Sequence, residues 1–235
     1  MWGADLEVRH RLPELMDDPS LDRARHLHAL QALARVNRVS LAASRIIREV
    51  HAIAGSRPGP VRVLDVACGG GDVLIDVAKR LQGTTMSVEL CGCDVSPVAL
   101  GAARQAAPDA VGIDFVEVDA IEGALPAGYD LICSSLFLHH LSPEVVIRLL
   151  QRMVGAATHS VLIQDLRRTR LGYVFAWIGL HALTRSDVAR TDGLISVRAA
   201  FTVPEVEALC RDAGLTDVQV SAIWPQRYSI RWRRP

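Results

Sequence analysis

The sequence has one lysine, Lys79, and that scarcity argues against Schiff-base chemistry, since the residue shares the polar end of a predicted helix with Arg80. It is short of cysteine pairing as well. Cys68, Cys91, Cys93, Cys133 and Cys210 form an odd set with no CxxC pair, which excludes a disulfide framework and points to a reducing cytoplasm. Cys91 and Cys93 share one face of a predicted strand, yet no histidine or second pair follows at zinc spacing, so both read as core packing. Net charge is also absent: 26 Lys and Arg balance 26 Asp and Glu, leaving no field to gather nucleic acid phosphates or anionic lipid. The longest apolar run, Leu171 to Leu183, is broken by His181 and glycines and falls short of a membrane span, which needs about 18 residues. The opening Met1-Trp2-Gly3-Ala4-Asp5 lacks a basic and then apolar export signal.

At 235 residues and 50% hydrophobic, the chain suits one α/β domain with a buried core. Apolar residues at helical spacing between Asp22 and Val50 predict one or two N-terminal helices. A Gly/Pro stretch at residues 55–60 then gives way to a buried strand, Val61 to Val66, a glycine turn, and a helix over Asp72 to Leu81. Further strands are predicted at Ser87–Cys93, Ile113–Val118, Tyr129–Ser134 and Ser160–Gln164. Ser96-Pro97 and Ser142-Pro143 are read as capped helix starts. Strands alternating with helices predict a parallel, doubly wound sheet. A long excursion over residues 166–200 precedes Thr202-Val203-Pro204-Glu205, a capping-box start. Gly214 ends that helix, and strands near Asp217–Ile223 and Arg227–Arg233 close the chain.

The chemistry concentrates in Val63-Leu64-Asp65-Val66-Ala67-Cys68-Gly69-Gly70-Gly71-Asp72, between the first strand and its helix. Glycines there let backbone approach a ligand, and the helix start offers free N–H groups. A nicotinamide fingerprint needs a third glycine where Leu74 stands, and a P-loop needs Gly-Lys-Ser/Thr; both are missing.

This stretch resembles motif I of the class I S-adenosylmethionine-dependent methyltransferases. The resemblance implies a Rossmann-like α/β fold, with a seven-stranded, mostly parallel sheet whose last strand is antiparallel. It implies S-adenosylmethionine as cofactor and S-adenosylhomocysteine as product. The cofactor would meet Asp65, Ala67, Gly69 and Gly71 in the loop, Asp94 at the ribose hydroxyls with Val95 on the adenine, Asp119 and Ala120 at the adenine edge, and Ser134 and Ser135 along the cleft. A carboxylate suits a diol, because it accepts two hydrogen bonds. Taken singly, Asp94 and Asp119 serve equally well as helix caps or loop acids.

Two narrower resemblances follow. Ser135-Leu136-Phe137-Leu138-His139-His140-Leu141 resembles small-molecule methyltransferases related to the ubiquinone and menaquinone C-methyltransferases. Leu12-Pro13-Glu14-Leu15-Met16-Asp17, with Asn37-Arg38-Val39-Ser40, resembles methyltransferases found beside bacterial type III polyketide synthases and suggests a phenolic or polyketide-like, apolar acceptor. Related enzymes place a histidine base after the fourth strand and an acid after the fifth, which singles out His139, His140 and Asp165 as catalytic candidates. The alternative is that one histidine packs in the core and the other caps a helix. No metal is expected, since His26 and His28 point to different helix faces.

Residues 1–55 are read as a helical cap segment and 56–235 as the methyltransferase domain, with 166–200 as a lid-like insertion; that insertion roofs the site, packs on the sheet, or makes a homodimer contact. The terminal arginines alternate with Tyr228, Ile230 and Trp232, the pattern of a half-buried strand with a solvated face, so no nucleic acid partner is expected. The functional expectation is O-methylation ahead of C-methylation of a small molecule in the cytoplasm. The rivals are a non-catalytic cofactor-binding partner and a nicotinamide-dependent reductase.

Overall fold

The computed structural model describes residues 5–18, 20–39, 41–108 and 112–234, with backbone alone at 38 and 39. Met1 to Ala4 and Ser40, both used above, lie outside the described residues. Seven strands, β1 Val61–Val66, β2 Val88–Asp94, β3 Ile113–Glu117, β4 Tyr129–Ser135, β5 Ala157–Leu166, β6 Gln219–Ile223 and β7 Arg227–Arg233, form one sheet in the order β3-β2-β1-β4-β5-β7-β6. All pairings from β3 across to β5 are parallel, and β7 runs antiparallel to both its neighbours. Strand order reverses between β1 and β4, so the crevice at their carboxyl ends is the natural ligand site of such a sheet.

Both faces of the sheet are covered, which is why β1 and β4 are buried along nearly their whole length. Leu64, Ile132, Ile163 and Ile230 face α5 (Pro143–Ala156) and α8 (Val203–Asp212), where Val146, Leu150 and Leu209 meet them. Val63, Leu131 and Leu162 face the opposite way, onto Ile46, Val50 and Ile53 of α2 (Ala42–Ala54) and Leu74 and Val77 of α3 (Asp72–Leu81). Each such side chain, fully buried, stabilises by about 1.5–3 kcal/mol before entropy is subtracted. The remaining helices are α1 (Arg23–Val39), α4 (Pro97–Ala106), α6 (Arg170–Leu183) and α7 (Asp187–Ala199).

Helix starts follow local chemistry with one correction. Ser96 Oγ accepts from Ala99 N at 3.2 Å ahead of Pro97, and Thr202 and Glu205 complete their reciprocal box. Ser142, in the same Ser-Pro setting, makes no side-chain cap, so Pro143 alone sets that start. The strict strand–helix alternation also gives way between β3 and β4, where no helix intervenes. There, Arg152 of α5 donates to the carbonyls of Ile121 and Gly123 and satisfies the loop backbone that a helix would otherwise pair.

The face of β7 expected to be solvated is so only toward its end, where Arg233 is exposed and Arg231 half-buried. Arg231 and Arg233 both donate to the buried carboxylate of Glu49, at 3.2 and 3.1 Å, and Arg227 is buried. The 166–200 excursion is the helix pair α6 and α7. Helix α6 leaves Leu171, Phe175 and Ile178 outward, with Trp224 edge-on to Phe175 at 5.9 Å. No helix among the described residues is long and apolar enough to cross a membrane.

Candidate functional site

The loop after β1 is wound tightly: Ala67, Gly69 and Gly71 all have φ between 53° and 69°, a region that costs alanine energy and suits glycine. At Gly71 an added Cβ would come within 2.8 Å of Phe115, so glycine there serves packing. At Gly69 the same atom would meet open space, which leaves the loop backbone accessible to a ligand. Asp94, at the end of β2, fastens the loop: one carboxylate oxygen accepts from Gly69 N at 2.8 Å and the other from Ser96 N at 2.9 Å. Val95 beside it is 63% exposed and free to lie against a flat ring.

The other residues expected at the cofactor divide. Asp119 is not buried; its Oδ1 accepts from Ile121 N and Glu122 N, and these bonds hold its carboxyl below the usual range. Ala120 is buried next to it. Ser135 lies at the mouth of β4 with a buried Oγ that has no partner among the described residues. Ser134, however, is turned into the protein, its Oγ donating to Val66 O at 2.8 Å and stitching β4 to β1. Asp65 is 2% exposed, meets Cys133 Sγ at 3.6 Å, and is pushed up to about 7 by burial.

Beyond β4 a single helical turn, Leu138–His140, carries the two histidines. Asp165, near the end of β5, takes both the backbone N–H of His139 at 3.0 Å and its Nδ1 at 2.7 Å. Burial pushes the Asp165 carboxyl up, but the charge and hydrogen bonds of His139 outweigh this and hold it below the usual range. In the neutral ring, donation from Nδ1 to this carboxylate leaves Nε2 as the acceptor. His140 is more open; its Nδ1 stands 3.4 Å from Asp17 and its ring 4.2 Å from that of His139.

What faces Nε2 of His139 comes from far away in the chain. Glu14 Oε1 lies 3.6 Å from it and Glu14 Oε2 lies 3.9 Å from His140 Nε2. Burial pushes the Glu14 carboxyl up to about 7, against the pull of His140 and of Ser196, whose hydroxyl donates to it at 2.5 Å. Asp192 of α7 accepts from Leu15 N and Met16 N at 2.8 and 3.0 Å, while Arg9 donates to the carbonyls of His139 and Leu141. The N-terminal segment is thus clipped between α7 and the histidine turn. Glu14, His139 and His140 each place a donor atom within 4.8 Å of the others, a spacing a metal ion could also use. In the sequence Glu14 and Asp17 stand out only as members of a motif, and nothing in their spacing links them to residues more than 120 positions away. A cavity of about 650 Å³ lies between α1, α2, α3 and α4, reaches Asn37 and Ala42, and meets the loop at Gly70 and Asp72.

Comparison with known proteins fits this arrangement. Residues 63–159 match the model of a methyltransferase domain. Over 167 residues the chain is 29% identical to the ubiquinone biosynthesis O-methyltransferase of Azoarcus sp. (strain BH72), covering 69% of this chain and 67% of that one. It is 30% identical over 162 residues to the enzyme of the same description from Pseudomonas savastanoi pv. phaseolicola, covering 66% and 64%. The chain thus spans about two thirds or less of these relatives' lengths. Among solved structures, the plantazolicin methyltransferase BpumL with SAH and a desmethyl analogue aligns at TM-score 0.61 and 17% identity over 89% of this chain and 96% of that one. A putative O-methyltransferase from Nostoc punctiforme aligns at 0.58 and 21%, over 88% and 60%. The accessible Gly69 backbone, the carboxylate of Asp94 and the unpartnered Oγ of Ser135 fit the amino-acid and ribose parts of S-adenosylmethionine. Residues 63–159 thus form a methyltransferase domain, and the chain is similar in sequence to the ubiquinone biosynthesis O-methyltransferases and in fold to S-adenosylmethionine-dependent methyltransferases.

Proposed function

We propose that the protein transfers a methyl group to a hydroxyl oxygen of a small, apolar or aromatic molecule, phenolic or polyketide-like in character. The observation that carries this reading is the buried His139–Asp165 pair, 2.7 Å apart at the carboxyl ends of adjacent strands. The names of the relatives, ubiquinone biosynthesis O-methyltransferases, favour oxygen as the acceptor atom. When bound, S-adenosylmethionine supplies an electrophilic methyl on its sulfonium. The protein's own part is positional. The Gly69 loop and Asp94, with Val95, Asp119, Ala120 and Ser135, hold the donor, and the walls exclude water. His139 Nε2 accepts the proton of the attacking hydroxyl, and Asp165 keeps that imidazole oriented and offsets its charge. His140 lines the same space.

In this arrangement Glu14 shields Nε2, and His139 is 3% exposed. Residues 5–17 and the α6–α7 pair therefore act together as a cover that opens for the acceptor and closes over it. The deciding experiment is a methyl-transfer assay with labelled S-adenosylmethionine and a panel of phenols, pyrones and non-phenolic controls. Label on the oxygen of a phenolic product is expected. Transfer only to carbon, or none to any phenol while S-adenosylhomocysteine still binds, would reject the reading.

A further inference from the structure

Arg227 opens β7 and is 2% exposed. It makes no ion pair among the described residues. Its Nη2 donates to Asn37 Oδ1 at 3.0 Å, and its buried Nη1 has no hydrogen-bond partner among the described residues. A guanidinium cannot shed its charge as a lysine can, and the carboxylates that act on this buried one, Asp165 and Asp72, do so without pairing with it directly, which is an expensive arrangement to keep. Burial lowers its pKa only to about 10, and it stays cationic at neutral pH.

Its surroundings locate the missing partner. The β5–β7 register puts Arg227 opposite Leu166 and Ser229 opposite Gln164, so Arg227 and Gln164 project from the same face of the sheet, the one α2 covers. Ser135, whose Oγ is also buried without a partner, is the β4 residue beside Gln164. Asn37 ties the guanidinium to Asp72, the first residue of α3 after the glycine loop. Two unsatisfied buried polar atoms therefore flank the side of the cleft where the donor's amino-acid tail runs when Asp94, Val95 and Asp119 hold its adenosine end.

We propose that Arg227 anchors a carboxylate subsite that receives the α-carboxylate of the cofactor's amino-acid tail, making it a cofactor-positioning residue on the last strand. The proposal rests on the cofactor assignment of the preceding sections. A carboxylate on the acceptor molecule has the same chemistry, but the Asn37–Asp72 bridge places the guanidinium on the donor's side of the cleft.

The test is calorimetric titration of the full chain with S-adenosylhomocysteine and with its decarboxylated analogue, which keeps the amine and loses the carboxylate. The unmodified protein should prefer the carboxylated ligand by about 10- to 100-fold, the worth of a charge-assisted hydrogen bond. In Arg227→Gln that preference should fall to within about 3-fold, with affinity for the decarboxylated ligand unchanged. Because a buried arginine variant can fail to fold, Asn37→Asp is the second arm: it offers the same guanidinium an internal carboxylate and should depress binding of the carboxylated ligand selectively. A preference that persists in whichever variants fold, or no preference in the unmodified protein, overturns the subsite. Binding of neither ligand by the unmodified protein overturns the cofactor assignment and the subsite with it.

Discussion

Proton transfer from a hydroxyl demands a nitrogen whose partner across the ring is fixed, and Asp165 does this for His139 while also taking its backbone N–H. Replacing His139 with alanine should lower turnover by about 10²-fold or more and leave S-adenosylhomocysteine affinity nearly intact, as steady-state kinetics beside calorimetry would show. Asp165→Asn should cost less turnover. If His139→Ala turns over near-normally, the reaction needs only proximity. Asp94→Ala removes a carboxylate that holds Gly69 N and, in the proposed site, binds the ribose, and should weaken cofactor binding by about 1.5–3 kcal/mol; unchanged affinity in a folded variant would exclude it from the site. At this scale the residues legible in the sequence were those beside a motif or at a strand end. Ser134 shows the limit: adjacent residues of a strand point to opposite faces, and its hydroxyl went to Val66 O rather than to the cleft.

Among elements, the N-terminal segment has the most to lose or gain, because its docking buries Glu14 against His139 and His140, with Asp17 and Asp192 nearby. The Glu14 carboxyl stands at about 7 in the folded protein, above its ordinary value of 4.5. The folded state therefore holds this proton more tightly than the unfolded one. Its contribution is fully present below about 4.5 and is lost as pH rises to about 7. Urea unfolding at pH 5 and pH 8 should show the unmodified protein losing on the order of 1–3 kcal/mol more than Glu14→Gln across that interval. An equal loss in both would assign the dependence to another group, Asp65 being the next buried carboxyl. Deleting residues 1–40 should leave a folded sheet with weakened cofactor affinity, since α1 carries Asn37, whose side chain reaches Asp72 and Arg227. Full affinity after truncation would give the segment a different role.

For the molecule as a whole, the two helical layers are joined through the sheet by polar as well as apolar contacts. Glu49 of α2, 4% exposed, receives Arg231 and Arg233 from β7. Those arginines are partly solvated, so Glu49→Gln should destabilise by only about 1–2 kcal/mol in urea unfolding; no change would mean that apolar packing alone holds α2. The sequence by itself determined the strands, their parallel run and the glycine loop at the carboxyl edge, since hydrophobic periodicity and turn chemistry act over a few residues and are written locally. It also carried the His139–Asp165 pairing, because strand ends in this topology are neighbours by construction. Only the tertiary structure decided that Glu14 faces the histidines, that Arg227 is buried beside Asn37, and that Glu49 of α2 receives Arg231 and Arg233 of β7. Those contacts join residues more than 100 positions apart, through packing geometry that no local pattern encodes.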